Sequence, residues 1–215
     1  MNPAAQKLYA FCVARYFDAL ALAKRRPLVL FFRDGGIGDV LCTLPAASTL
    51  AGRHGAAYRI YCTHPSFVGL PRMTGKFDRV VGIRCSDAVA LASRRHTVYR
   101  FRYPDEEPEG CSSHYLADEF AEAFGLPPGQ PWPRLDAGPE SPKVEALLPP
   151  SDPRPVICIH TGPTWAVREW PRERWEQLVP RLASLGARVL QIGASRHFRE
   201  GVRRVMDRRY GGAAE

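Results

Sequence analysis

Leu28-Val29-Leu30-Phe31-Phe32-Arg33-Asp34-Gly35-Gly36-Ile37-Gly38-Asp39-Val40-Leu41 decides the fold of this chain. The apolar run 28–32 has the length and composition of a buried strand, and Val40 to Leu50 reads as a helix. Between them Gly35, Gly36 and Gly38 let the backbone turn tightly and let another group approach it closely. Asp39 falls where a helix N-cap would sit, its carboxylate able to accept from free N–H groups at the positive helix end. A strand, a glycine turn and a helix with an acid at the junction is how an α/β protein builds a site at the carboxyl end of its sheet. The spacing is neither G-x-G-x-x-G nor a P-loop, so this stretch alone leaves two readings of Asp39: a cap or a functional acid.

The strand–helix alternation continues outward. After strand 28–33 comes a helix over 39–53 with Pro45 inside it, which predicts a kink or a second helical segment. Strands are expected at 57–62, 78–83 and 97–103, a helical turn within 63–76, and helices at 86–94 and 114–124. This order predicts a parallel, doubly wound sheet. Residues 126–155 are dense in proline and read as a linker carrying one strand near Arg134–Leu135 and a short helix at 142–148. The βα pattern then restarts: strand 156–160, a loop to Trp170, a helix with Pro171 at its first position running to Leu185, a stop at Gly186, strand 187–192, and a basic helix from Ser195 to Arg209. Residues 1–27 precede all this as an amphipathic helix, with Leu8, Phe11, Cys12, Val13, Tyr16, Phe17 and Leu20 on a broad apolar face. Lys7, Arg15 and Asp18 interrupt it, so it cannot span a bilayer. It packs on the body of the protein, or rests its basic end, Lys24-Arg25-Arg26, on an anionic membrane.

Composition narrows the class. Hydrophobic content of 45 % and charged content of 24 % are those of a globular chain, and 215 residues suffice for one large or two small domains. Six scattered cysteines without a C-x-x-C argue against a zinc site and a disulfide scaffold, and make a reducing cytoplasm the simplest compartment. The net charge of +8 comes mostly from arginine, which suits phosphate and carboxylate partners. The basic residues are spread along the chain without zinc-finger spacing or an aromatic RNA-binding signature, so charge alone is what suggests nucleic acid, and none is expected as a partner.

A second constellation lies at Ile159-His160-Thr161-Gly162-Pro163-Thr164-Trp165-Ala166-Val167-Arg168-Glu169-Trp170-Pro171. Thr161 and Thr164 offer hydroxyls, Arg168 a forked cation, and the following helix its N–H groups, a set suited to a diphosphate. Taken alone it reads better as a surface arginine beside tryptophans that pack a helix.

Together the two constellations resemble glycosyltransferase family 9, the ADP-heptose:lipopolysaccharide heptosyltransferase-like enzymes. The resemblance rests on Gly38-Asp39-Val40-Leu41 with Thr43-Leu44-Pro45-Ala46, on Phe77-Asp78-Arg79-Val80-Val81, and on Ile159-His160-Thr161-Gly162, Arg168-Glu169-Trp170-Pro171 and Trp175 with the strand to Gly193. It covers about residues 28–195. It implies an α/β, GT-B-like fold: a Rossmann-like acceptor-side domain at 28–135, a linker at 136–154, and the opening βαβα portion of a nucleotide-sugar-binding domain at 155–215. It implies an inverting transfer of a heptose-like sugar from a nucleotide-diphosphate donor, ADP-sugar favoured, to a saccharide or lipopolysaccharide-type glycolipid acceptor. Asp39 would be the catalytic base; Thr161, Thr164 and Arg168 would hold the donor diphosphate; Gly35, Gly36 and Gly38 would form the glycine loop. Neither a cofactor nor a metal is implied. By position, loop 63–75 with His64, Arg72 and Lys76 would lie near the acceptor.

Against the family pattern, the second domain is short and the late Asp-Ser/Thr-Gly-x-x-His motif is absent. The expectation is therefore a C-terminally truncated member, active once a complete second domain is supplied, with strand edges beyond residue 192 inviting a second chain or self-association. A non-catalytic saccharide- or nucleotide-binding protein on the same fold is the alternative. The expected location is the cytoplasm, with peripheral contact at the inner membrane face.

Overall fold

The computed structural model describes residues 2–102, 115–136, 138, 142–160 and 170–192, and its chain divides into two compact units, 1–139 and 140–215. In the first unit α1 (Pro3–Lys24) precedes β1 (Leu28–Arg33), α2 (Ile37–Arg53), β2 (Tyr58–Thr63), a 3₁₀ turn (Pro65–Phe67), α3 (Gly69–Arg72), β3 (Arg79–Gly82), α4 (Ser86–Ala92), β4 (Thr97–Arg100) and α5 (Leu116–Glu122). The four strands are parallel in the order β3-β2-β1-β4. The chain thus builds outward from β1 to β3 on one side, then returns to add β4 on the other. The strand order reverses between β1 and β4, and in open α/β sheets that is where ligands bind, beyond the carboxyl ends of the strands.

Period-two alternation along β1 sorts its side chains. Val29 and Phe31 join one core with Val40, Leu44 and Leu50 of α2 and Phe120 of α5. Leu28, Leu30 and Phe32 join the other, with Phe17 and Leu20 of α1 and Val89 and Ala92 of α4. Helices therefore cover both faces, as a fully buried parallel sheet requires. The N-terminal helix packs on the body of the protein through Ala10, Phe17 and Leu20, while Leu8, Phe11 and Cys12 lie on its outer side. Its exit is fixed by Arg26, whose guanidinium donates to the carbonyls of Gly55, Ala56 and Ala57 at 2.7–2.9 Å.

Three local expectations change. Helix α2 starts at Ile37 with Gly36 as its N-cap, so Asp39 is the third helical residue and not the cap. It runs unbroken through Pro45: the buried face made by Val40, Leu44, Ala47 and Ala51 outweighs a proline cost of about 3 kcal/mol. No strand forms at Arg134–Leu135; between prolines the segment makes a ladder-like bond from the Asp136 N–H to the Met73 carbonyl at 2.7 Å.

Arg59 and Asp78 tie β2 to the entry of β3. The Asp78 carboxylate accepts from the Arg59 side chain at 2.9 Å and from its backbone N–H at 2.8 Å. The guanidinium bond is the main cause of an Asp78 carboxyl held below its ordinary range; burial pushes the other way, and the backbone N–H bond and the nearby positive charges outweigh it together with the guanidinium. A pKa lower in the folded state stabilises above the unfolded value of about 4 and is lost as pH falls through the folded one. Asp78→Asn should lower stability by about 0.5–1 kcal/mol at neutral pH. In urea titrations the gap from wild type should close as pH drops below about 4.

The second unit contains α6 (Pro142–Leu147), β5 (Val156–His160), α7 (Arg172–Ser184) and β6 (Arg188–Ile192). Strands β5 and β6 pair in parallel, and Ile159, Val179 and Val189 form their core with Trp175 and Leu182. Pro171 is the N-cap of α7, so the helix starts at Arg172, one residue later than expected, and Pro180 lies inside it. Gly186 takes φ +82°, the left-handed conformation that stops α7. The expected basic helix at 195–209 lies outside the described residues.

Candidate active site

The carboxyl end of β1 carries the first candidate site. Alternation that sends Val29 and Phe31 towards α2 and α5 sends Arg33 the same way, and it is 4 % exposed. Its Nη1 donates to the Phe101 carbonyl just beyond β4 at 3.0 Å, and its guanidinium lies 5.3 Å from the Phe120 ring centre. The arginine thus bridges the point where strand order reverses.

Directly above it stands Asp39. Its Oδ2 accepts the Gly36 N–H at 2.7 Å and lies 3.7 Å from Arg33 Nη2. This is half of a capping box, since glycine has no side chain to return the bond. The half-buried carboxylate is held from two sides: by the helix N-terminus and by a cation beneath it.

The three glycines separate into different roles. Gly35 has φ +149°, and a Cβ there would fall 2.5 Å from Asp39 Oδ2. The group that approaches this glycine closely is therefore the aspartate's own carboxylate. Gly36 gives the N–H that Asp39 accepts, with ordinary contact at 3.5 Å for an added Cβ. Gly38 is inside the first turn of α2, exposed, with nothing within 4 Å of a Cβ.

Beneath α2 the Tyr61 hydroxyl donates to Thr43 Oγ1, whose own proton goes to the Val40 carbonyl at 2.7 Å. Burial pushes the Tyr61 phenol far up, so it stays a neutral donor that locks the helix to β2. Burial, and then the charge of Asp39, raise the Cys42 thiol, against a smaller opposing pull from Arg33. That keeps Cys42 protonated and unsuited to nucleophilic attack. At the next strand end His64 is exposed and its Nδ1 accepts the Ser66 N–H at 3.3 Å; Arg72 and Lys76 are exposed as well. Among the described residues no three His, Cys, Asp or Glu side chains converge as a metal site would need.

Thr161, Thr164 and Arg168 lie outside the described residues. The structure places their flanks: His160 at the end of β5 and Trp170 against Trp175, edge to face at 4.7 Å. Sequence reasoning missed Arg33 as the partner of Asp39. The signal was present, because a charged residue ends an otherwise apolar strand two places after Phe31.

No known protein-family profile matches the sequence. No curated protein matches it either. Fifteen chains of solved structures do match by fold. The iron-containing dodecameric glycosyltransferase TibC of enterotoxigenic E. coli superposes with a TM-score of 0.56 at 20 % identity, over 81 % of this chain and 44 % of its own. A family 9 glycosyltransferase from Veillonella parvula matches at 0.63 and 13 % identity, over 85 % and 66 %. The E. coli heptosyltransferase WaaC, solved with ADP-2-deoxy-2-fluoro heptose, matches at 0.54 and 17 % identity, over 84 % and 73 %. The class is therefore defined by the fold: the chain has the α/β, GT-B-like architecture of these glycosyltransferases. Among them it resembles the heptosyltransferases and a family 9 enzyme, and it spans less than half the length of TibC.

Proposed function

We propose that this chain forms the acceptor side, and the opening of the donor side, of an inverting glycosyltransferase. It moves a heptose-like sugar from a nucleotide-diphosphate donor to a saccharide or lipopolysaccharide-type acceptor. One observation carries this reading: a half-exposed carboxylate, Asp39, fixed by a helix N–H and a buried arginine where the strand order of the sheet reverses.

A sugar hydroxyl is far too weak an acid to be deprotonated in advance, so its proton must leave as the oxygen attacks the anomeric carbon. A positioned carboxylate suits that concerted step. Asp39 takes the proton, and Arg33, which does not touch the acceptor, keeps the carboxylate aimed. Charge building on the departing diphosphate is met by Thr161, Thr164, Arg168 and the N-terminus of α7. The heptosyltransferases solved with ADP-D-β-D-heptose and with ADP make an ADP-sugar the favoured donor.

Thermal-shift titration with ADP-, GDP- and UDP-sugars tests the donor half directly. A ligand that binds the folded form alone stabilises it by about 2.7 kcal/mol at a hundred times its Kd. The expected result is a shift for the ADP-sugar that rises with the logarithm of its concentration and disappears in Arg168→Ala. A cooperative melt that no nucleotide sugar moves would show that this chain has no donor site.

A further inference from the structure

Helix α1 has a second apolar stripe that none of the described residues covers. Opposite the buried Ala10, Phe17 and Leu20, the side chains of Leu8, Phe11 and Leu22 are 65 %, 52 % and 79 % exposed. With Ala4, Arg15 and Asp18 they follow one another at intervals of four and three residues, which puts all six on a single stripe. Exposed leucines scattered singly need no explanation, but three large apolar groups aligned on one helix do.

Cations frame this stripe. The Arg15 guanidinium sits 5.1 Å from the Phe11 ring centre, and Arg79 5.6 Å from that of Tyr16. Arg95 bonds Asp18. Lys7 and Arg25 are exposed on the helix and at its end. The carboxylates bonded to α1 are both engaged: Asp18 by Arg15, Arg95 and His96, and Asp87 by the Gln6 amide. Lys7, Arg15, Arg25 and Arg95 outnumber Asp18 and Asp87, so the rim is positive, like the whole chain at +8.

Two other occupants fit less well. No helix among the described residues is long and apolar enough to cross a membrane. A second copy would bring like charges together across the rim, and three side chains fall short of the roughly 800 Å² per partner of a stable interface.

We infer that α1 lays the protein on an anionic phospholipid surface, with Leu8, Phe11 and Leu22 entering the headgroup–acyl boundary and the surrounding Lys and Arg groups meeting lipid phosphates. A helix held parallel to the surface by its own packing on α4 enters with its side chains already ordered. The inference is independent of glycosyl transfer, and its test needs no turnover.

The test is flotation of the whole chain with phosphatidylcholine vesicles, with and without about 30 % phosphatidylglycerol. The expected result is binding to the anionic vesicles alone, weakened by salt and at least about tenfold weaker in Leu8→Gln/Phe11→Gln/Leu22→Gln. Those positions are exposed, so an unchanged melting midpoint shows that the variant is folded. Absence of binding at low salt, or equal binding by the folded variant, overturns the inference. So does a concentration-dependent dimer that the variant abolishes while vesicles stay unbound.

Discussion

Asp39→Asn should lower sugar transfer by about 100- to 10,000-fold, the range over which a positioned general base contributes. The substitution is nearly isosteric. The asparagine Oδ1 can still accept the Gly36 N–H that Asp39 Oδ2 now accepts at 2.7 Å, so the first turn of α2 keeps its bond. What disappears is the capacity to take a proton, together with the negative charge facing Arg33 at 3.7 Å. Donor binding, assigned in the proposal to residues far along the chain, should survive. The measurement is the initial rate of transfer from an ADP-sugar, beside the thermal shift from the same donor. A variant that keeps a tenth or more of the rate removes Asp39 from the chemistry. A protein that binds donor equally well in both forms, and turns over in neither, is a binding protein on this fold.

Gly35→Ala should damage the same carboxylate without touching it chemically. At φ +149° a side chain is strained by about 1–3 kcal/mol, and the new Cβ would lie 2.5 Å from Asp39 Oδ2, closer than such atoms approach. Either the aspartate rotates away or the turn shifts, and in both cases the base leaves its place. The melting midpoint of the variant should fall by roughly 3–10 °C, and transfer should drop by about a hundredfold or more. Gly38→Ala is the control: nothing lies within 4 Å of its Cβ, and alanine favours a helix over glycine by up to about 1 kcal/mol. It should fold at least as well as the parent. If Gly38→Ala alone destroyed transfer while Gly35→Ala left it intact, Gly38 would be where a substrate approaches, and the placement of Asp39 argued here would fail.

These two glycines show what the sequence could and could not convey. Strand β1 was legible as an apolar run, because a parallel strand buried on both faces leaves no other pattern, and β2 and β5 were legible as shorter apolar runs. The glycine-rich turn was legible as a turn. Its internal division was not, because an exposed Ile37 opens the helix without any periodicity to announce it, and so Asp39 sits three residues deeper than a cap. Arg33 was written in plain alternation with Val29 and Phe31, but its partners, the Phe101 carbonyl and the Phe120 ring, are far away in sequence. Prolines were the less reliable guide at two places, Pro45 and the segment around Arg134. Pro45 stands without a break inside a helix whose apolar face is buried, as does Pro180 in the helix expected over it, whereas the prolines around Arg134 prevent the strand expected there.

That distance in sequence also orders events in time. Strand β1 leaves the ribosome early, and Asp39 and Gly36 can find each other locally as α2 forms. The carbonyl that Arg33 needs is made 68 residues later. At about 5–20 residues per second that is a wait of roughly 3–14 s, with the Phe120 ring later still. Only late in that interval does the growing chain have the three strands β1 to β3, with the β1 edge open where β4 belongs. Pairings so far apart are slow to form in any case, since loop closure must precede the contacts that reward it. The end of the sheet that holds Asp39 is thus the last part of the first unit to be completed, and a nascent chain halted before Phe101 has the acid but not its setting.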